Sequence, residues 1–448
     1  MNKNYLILSV IIIITIIYSN YENIQVWIMN RIIVQRGILT TNYFWYKLSD
    51  IFLSDGAGID LYNNFKRKYG SFALTYMFNT KIYLVTNNNY IKIILDNSPN
   101  IFSVGDIKYT FFKSFMKKNV GVSTGCPWKK RRHINETALD TDTLHKYSDK
   151  YNNDLYEHLI KWKNKNNYDY DDFINLGKKM VAKIIFNTDY IHEDIFNILS
   201  EANTIEVFSN PDFKIDPKIY NNYIKTLNYY IDNPNPKSLV HLCLTVSDDK
   251  DEILHQIPHF VFPMAGTFSS TLPRILIMIF NHKNVLNKVI QEINSLNNNN
   301  SVNIYQLTYV RKCIMETLRL INPLITTFRT LTQDFTFDEK YSFPKGTQFL
   351  ILNNPVLREK EYFEEPDKFI PERWNPEMEK SYYAISFNQG PQRCPAKELV
   401  IFLCQSFIYN LFTIKKITMN TIVEINDIDI NNIPQITNPF SFYIKIKN

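Results

Sequence analysis

The stretch that most constrains the fold is Gly390-Pro391-Gln392-Arg393-Cys394-Pro395, which leads directly into the apolar run AKELVIFLCQSFIYNLF. Gly and Pro ahead of the cysteine call for a tight loop. Pro395 suits the first position of a helix, where no backbone N–H is needed. On this reading the Cys394 sulfur sits at a helix N-terminus, where free N–H groups and the helix dipole stabilise a thiolate and lower its pKa. A thiolate held in this way is a good soft ligand for iron. The competing reading is that a lone cysteine before a helix is a small buried hydrophobe. The rest of the chain has to decide between them.

The chain has 448 residues and no Gly/Ser linker or composition break, which predicts one large domain behind a short N-terminal extension. Its 50 basic and 44 acidic residues are scattered along the sequence, so no basic stripe marks a nucleic-acid partner. The five cysteines, Cys126, Cys243, Cys313, Cys394 and Cys404, lack the pairing of a zinc site or the density of a disulfide scaffold. They suit a reduced, cytosol-facing domain. The Asn297–Asn300 tract reads as a surface loop. There is no GxxxxGK[ST], HExxH or GxSxG segment, so phosphoryl transfer, zinc hydrolysis and serine acyl transfer lack their usual entry points.

Periodicity predicts a strand, an Asn-rich turn and an apolar helix over KIYLVTNNNYIKIIL, from Lys81 to Leu95. Helical patterns dominate from Trp128 to about Arg311, including Asp171 to Phe186 and Asn284 to Ile293. Short strands and turns follow Arg329, with Pro344-Lys345-Gly346-Thr347 as a turn before FLIL. The sum is a mainly α fold with a smaller β part.

Glu316 and Arg319 lie three apart on one face of a helix, by themselves an ordinary surface pair. They are followed in order by Arg329, by Pro371-Glu372-Arg373-Trp374 and by the Cys394 loop. This ordered set resembles the cytochrome P-450 family. The resemblance implies that family's triangular, helical haem-binding fold, with haem b (iron protoporphyrin IX) as cofactor and Cys394 as axial ligand of the iron. Glu316, Arg319 and Arg373 would form a buried structural charge network, since buried charges persist only when paired. Phe387 would cover the sulfur side of the ring. Gly125-Cys126-Pro127-Trp128-Lys129-Lys130-Arg131-Arg132 resembles the family's helix that reaches the haem propionates, here through Trp128 and Arg132. Arg329 would be a further propionate partner, because the planar guanidinium fork matches a carboxylate. Arg393, counted among the cofactor-binding residues, is next to the usual propionate position, but a neighbouring residue points another way. Lys129, Lys130 and Arg131 read either as a solvated basic face or as a docking side for an acidic redox partner.

Met264-Ala265-Gly266-Thr267-Phe268-Ser269-Ser270-Thr271 resembles the helix that crosses the distal face of the haem. Small Ala265 and Gly266 would leave room for dioxygen. Ser269 falls where the family has a proton-delivering Thr, and Phe268 falls where it has an acid. Thr267, Ser269, Ser270 and water could form a substitute relay. Pro258, Pro263 and Pro273 are unexpected in one continuous helix. In the cysteine loop, Gln392 stands where an Arg or His normally meets a propionate, and Ala396 replaces a Gly.

The implied activity is a monooxygenase that inserts one oxygen atom of O2 into an apolar sterol, fatty acid or terpenoid, with electrons from a separate reductase. Phe268 in place of the acid motivates a second reading, a peroxygenase or a hydroperoxide isomerase or dehydratase. The departures at Gln392, Ala396 and Phe268 motivate a third, a non-catalytic haem-binding sensor. The anchor and its connection are assigned to residues 1–30 and the haem domain to residues 31–448. Tyr5 to Tyr18 (YLILSVIIIITIIY) carries no charge, but is shorter than the ~20 residues that span a bilayer. A signal peptide, a shallow or tilted anchor and a longer span all fit; no small-residue cleavage site follows, which favours an uncleaved single-pass anchor with the catalytic domain facing the cytosol. Deleting residues 1–20 is expected to move the protein from the membrane to the soluble fraction with its haem retained. Persistent membrane attachment in a fractionation assay would instead point to a second surface around Trp27.

Overall fold

The computed structural model describes residues 59–77, 80–104, 109–110, 112–116, 118–201, 213–297, 302–425 and 444–447. The anchor segment assigned to residues 1–30 lies outside them.

Five strands form the main sheet: β1 (Phe72–Met77), β2 (Thr80–Val85), β3 (Phe102–Ser103), β5 (Thr326–Leu331) and β8 (Gln348–Leu352). Their order is β1-β2-β8-β5-β3, with β2 and β8 parallel and the other neighbours antiparallel. Two smaller sheets pair β4 (Asn167–Tyr168) with β10 (Ile444–Lys447) and β9 (Ile422–Ile425), and β6 (Phe335–Phe337) with β7 (Tyr341–Phe343). The main sheet has its own aromatic core. Phe72 lies 4.9 Å from Phe343 and stacks on Tyr90 at 5.1 Å, geometries worth more than area burial alone.

The helices that frame the site are α1 (Asn88–Asp96), α2 (Gly125–Ala138), α3 (Thr141–Leu159), α4 (Tyr170–Met180), α5 (Lys250–Pro263), α6 (Ser269–Asn281), α7 (Thr308–Leu320) and α8 (Lys397–Lys415). Their starts follow from sequence. The Asn87 side chain caps α1 by accepting from the N–H groups of Asn89 and Tyr90, and Asp169 and Asp172 form a reciprocal capping box on α4. The start of α7 has no capping side chain of its own. The Glu292 carboxylate takes the N–H groups of Tyr309 (2.7 Å) and Val310 (2.9 Å) instead.

The three prolines do not break the distal helix. Helix α5 runs through a π-helical turn, Met264–Phe268, directly into α6. A proline removes an N–H and crowds the carbonyl four residues back, and the wider π turn right after Pro263 is a place where the helix absorbs that crowding. Helices α5 to α6 and α8 are long and apolar enough to cross a membrane, but 78% of each apolar window is buried inside the protein, which makes them core elements.

The buried hub is the Glu316 carboxylate on α7. It accepts from Arg319 Nε (2.8 Å) and Nη2 (2.9 Å), Arg373 Nε (3.1 Å), the Ile370 N–H (3.0 Å) and the Trp374 indole N–H (2.8 Å). Glu316 and Arg319 are fully buried. Arg319 also donates Nη1 to the carbonyls of Leu357 (2.9 Å) and Pro366 (2.7 Å). One charge pair thereby holds the irregular segment from Leu357 to Trp374 against α7. Removing one partner of a buried pair strands the other charge, at a cost of roughly 3–5 kcal/mol. Glu316→Gln is therefore expected to lower the melting temperature sharply or abolish soluble folded protein, as read by thermal denaturation.

Candidate active site around Cys394

The Cys394 loop is held where the two cores meet. Ile385 belongs to the core of the main sheet, while Phe387 and Ala396 pack on the helical core. The loop leaves the 3-10 turn Ile385–Phe387 through Asn388 and Gly390, both at positive φ (61° and 71°). A side chain at Gly390 would collide with the Leu95 carbonyl at the end of α1, so glycine is required there by space as well as by φ. Gln389 fastens the loop from inside, donating Nε2 to the carbonyls of Ser381 (3.0 Å) and Glu379 (3.2 Å).

The Cys394 N–H donates to the Phe387 carbonyl at 2.9 Å. Helix α8 begins at Lys397, with Ala396 at its cap and no capping side chain. Pro395 thus lies in the turn before the helix, not at its first position as expected. Burial pushes the Cys394 thiol up; the Ala396 N–H on the sulfur and the charges of Arg132 and Lys397 pull the other way without reversing it. The expectation of a lowered pKa from the helix end is not met, because burial outweighs the Ala396 N–H and the nearby positive charges.

The cationic residues assigned to the site lie as follows. Arg329, on β5, is buried; it donates Nε to Ser98 Oγ (2.8 Å) and Nη1 to the Phe328 carbonyl (2.7 Å). No carboxylate pairs with it among the described residues, and burial depresses its pKa to about 10. Arg132, on α2, is also buried; its Nη2 reaches the Arg393 carbonyl (2.8 Å) and Glu136 (2.7 Å), and its Nε has no partner. Trp128 is buried on the same helix. The Arg393 side chain is exposed, and what it contributes is its carbonyl, which ties the loop to α2. The Gln392 amide oxygen is buried without a partner.

These residues fit a dianionic prosthetic group. A buried guanidinium without a carboxylate and an orphaned buried amide are costly unless a ligand satisfies them; rotating the Gln392 amide would present its N–H2 to an acceptor at the same place.

On the distal helix, Met264, Ala265, Phe268 and Ser269 are buried, whereas Gly266 and Thr267 are exposed. A β-carbon at Gly266 would meet no heavy atom within 4 Å, so the helix faces open space there. Ser269 does not share that face: it is fully buried against Gly177 of α4. The π turn and the helix crossing set this placement, neither of which a motif alignment contains.

The basic run on α2 is largely neutralised. Lys130 pairs with Asp249 (2.9 Å) and Arg131 with Glu252 (2.6 Å), which clamps α2 to the start of α5. Lys129 stays exposed and makes no ion pair among the described residues, and Lys130 keeps half of its side chain exposed, so the solvated-face and docking readings of this run both stand. A second clamp, not foreseen from the sequence, has Arg311 of α7 bridging Glu379 (2.7 Å) and Glu398 (2.8 Å), with Lys397 also on Glu379 (2.8 Å). No motif signals it, because its members are scattered and singly ordinary.

The hydrogen bond from Arg131 holds the Glu252 carboxyl below its usual range, against the opposing effect of burial. Burial pushes the Glu379 carboxyl up, but Arg311 and Lys397 outweigh it and leave that group low as well. A depressed folded-state pKa contributes stability that is complete above the unfolded value and lost as pH falls through the folded one. The contribution of these pairs is thus complete at neutral pH, so the melting temperature is expected to be insensitive to pH there and to fall as pH drops below ~4.3. Arg311→Gln should be less stable at neutral pH and lose less on acidification; an acid limb as steep as the parent's would remove the clamp from the explanation.

The family described as Cytochrome P450 matches residues 40–216 and 218–439 of the chain. Cytochrome P450 3A14 of Cavia porcellus is 27% identical over 252 residues, which covers 51% of this chain and 49% of that protein. The C-22 sterol desaturase ERG5 of Candida albicans is 29% identical over 161 residues, 34% of this chain and 31% of that protein. The chain spans about half or less of the length of these relatives. The structure of the retinoic acid-bound cyanobacterial CYP120A1 superposes with a TM-score of 0.69 at 18% identity, covering 89% of this chain and 96% of that one, a likeness of fold.

Proposed function

The chain belongs to the cytochrome P450 family, and on that premise we propose that it is a haem-thiolate monooxygenase acting on an apolar substrate of sterol, fatty-acid or terpenoid type. The observation that carries this reading is Arg329: a buried guanidinium with no carboxylate partner among the described residues, unlike Arg319 and Arg373 at the hub. Arg274, also buried without a carboxylate, donates to the Ser270 carbonyl of its own helix. A carboxylate-bearing group beside it removes the anomaly.

In this reading Cys394 binds the iron of haem b through its sulfur. The Phe387 carbonyl fixes the Cys394 backbone, and against the burial that raises the thiol, the Ala396 N–H and the Arg132 and Lys397 charges work toward the thiolate. Arg329, Arg132 and Trp128 take the propionates. Bound haem supplies activation of dioxygen, with the thiolate favouring O–O cleavage. Gly266 keeps the distal backbone clear of side-chain bulk, and Ala265 and Phe268 exclude water from the helix interior. The half-buried Phe387 shields the sulfur side.

Electrons come from a separate reductase. Residues 1–30 anchor the domain, residues 31–448, in a membrane on its cytosolic side; the uncharged run from Tyr5 to Tyr18 supports the anchor, and five free cysteines without a disulfide support a reducing compartment. Phe268, buried where the family has an acid, favours a second reading with the same haem, in which a hydroperoxide substrate brings its O–O bond already made.

An absorption spectrum of the purified protein, reduced with dithionite under carbon monoxide, tests the reading. A red-shifted Soret band is expected, and Cys394→Ser or Cys394→His should abolish it. An unshifted band in the parent protein would remove thiolate ligation, and the absence of any Soret band would remove haem itself.

A further inference from the structure

Hydroxyl-bearing side chains crowd the centre of the distal helix, and the structure distributes them to different tasks. A π turn accommodates about one residue more than an α turn, so side chains beyond Met264–Phe268 are rotated by roughly 100° from an uninterrupted helix. Ser269, the first residue after the turn, is carried into the crossing with α4. It is 0% exposed, and its Oγ points back toward the Met264 carbonyl at 3.4 Å. Gly177 of α4 leaves the space that this hydroxyl fills, since a β-carbon there would coincide with Ser269 Oγ and lie 3.0 Å from the Met264 carbonyl.

The next two hydroxyls are spent on the backbone. Ser270 Oγ (3.0 Å) and Thr271 Oγ1 (2.8 Å) both donate to the Thr267 carbonyl, and both residues are buried. Thr267 alone of these four residues is exposed. It stands beside Gly266 on the stretch of helix that faces open space, and its side chain has no hydrogen bond among the described residues.

We propose that Thr267 Oγ1, and not Ser269 Oγ, is the hydrogen-bond donor to the reacting oxygen on the open side of the distal helix. The inference rests on the haem-thiolate reading above, but concerns only which side chain of this chain serves it. The geometry separates the two residues: Ser269 fills a helix crossing, and Thr267 is left exposed beside Gly266 on the open stretch of the helix. Phe268, buried between them at 2% exposed, cannot contribute.

The test uses the haem-loaded full chain and its Thr267→Val, Thr267→Ser and Ser269→Ala variants, with cyanide and carbon monoxide as probes whose distal atoms accept a hydrogen bond. Each protein is first checked for the red-shifted carbon-monoxide band. Thr267→Val should weaken cyanide binding to the oxidised protein about fivefold, the worth of one neutral hydrogen bond, and shift the C–O stretching frequency of the reduced complex. Thr267→Ser should restore both. A cyanide affinity and C–O stretch unchanged in Thr267→Val, or moved by Ser269→Ala in its place, would overturn the assignment while leaving the haem-thiolate reading intact. Absence of the red-shifted band in the parent protein would overturn that reading, and this one with it.

Discussion

The Glu316 carboxylate is the interaction on which the rest of the structure depends. It is fully buried and satisfied by two guanidinium groups, one indole N–H and one backbone N–H. A charge in that position is tolerated only because every lone pair is occupied. The donors come from α7, from the 3-10 turn Pro371–Arg373 and from the residues on either side of it, Ile370 and Trp374, so the same contact that neutralises the charge also sets the path of an otherwise irregular chain. That path delivers the polypeptide to Glu379 and then to the cysteine loop. A stretch with little regular secondary structure thus acquires a unique position from hydrogen bonds to one side chain.

The cysteine loop inherits this order and adds its own constraints. Leu95 at the end of α1 leaves no room for a side chain at Gly390, Gln389 bonds back to the segment before the loop, and Arg132 holds the Arg393 carbonyl from α2. The sulfur is therefore positioned by backbone contacts from three directions before any cofactor binds. Such preorganisation matters for a metal ligand, since a thiolate that had to be ordered on binding would lose affinity to that cost.

On the opposite side, the π turn after Pro263 decides which side chains of the distal helix meet open space. It brings Gly266 and Thr267 outward and turns Ser269 into the contact with Gly177. The prolines that looked incompatible with a continuous helix are accommodated by that change of pitch, so the feature that sequence reasoning flagged as a fault is part of what shapes the site.

Much of this was legible in the sequence. The alternation of KIYLVTNNNYIKIIL marked β2, its turn and α1; the Glu316–Arg319 spacing marked one helical face; and the order of that pair, Arg373 and Cys394 marked the family, because these are local patterns set by helix and strand periodicity and by loop chemistry. Other features depend on residues distant in sequence. The Arg311–Glu379–Glu398 clamp, the neutralisation of Lys130 and Arg131 by the start of α5, and the collision at Leu95 that requires glycine at position 390 involve elements whose proximity no local pattern encodes. The sequence by itself determined the helical class, the cysteine loop and the buried charge pair. Which face of the distal helix stays open, and so whether Thr267 or Ser269 is exposed, was decided only by the packing of that helix against α4, because side-chain direction after a π turn is set by tertiary contact and not by spacing.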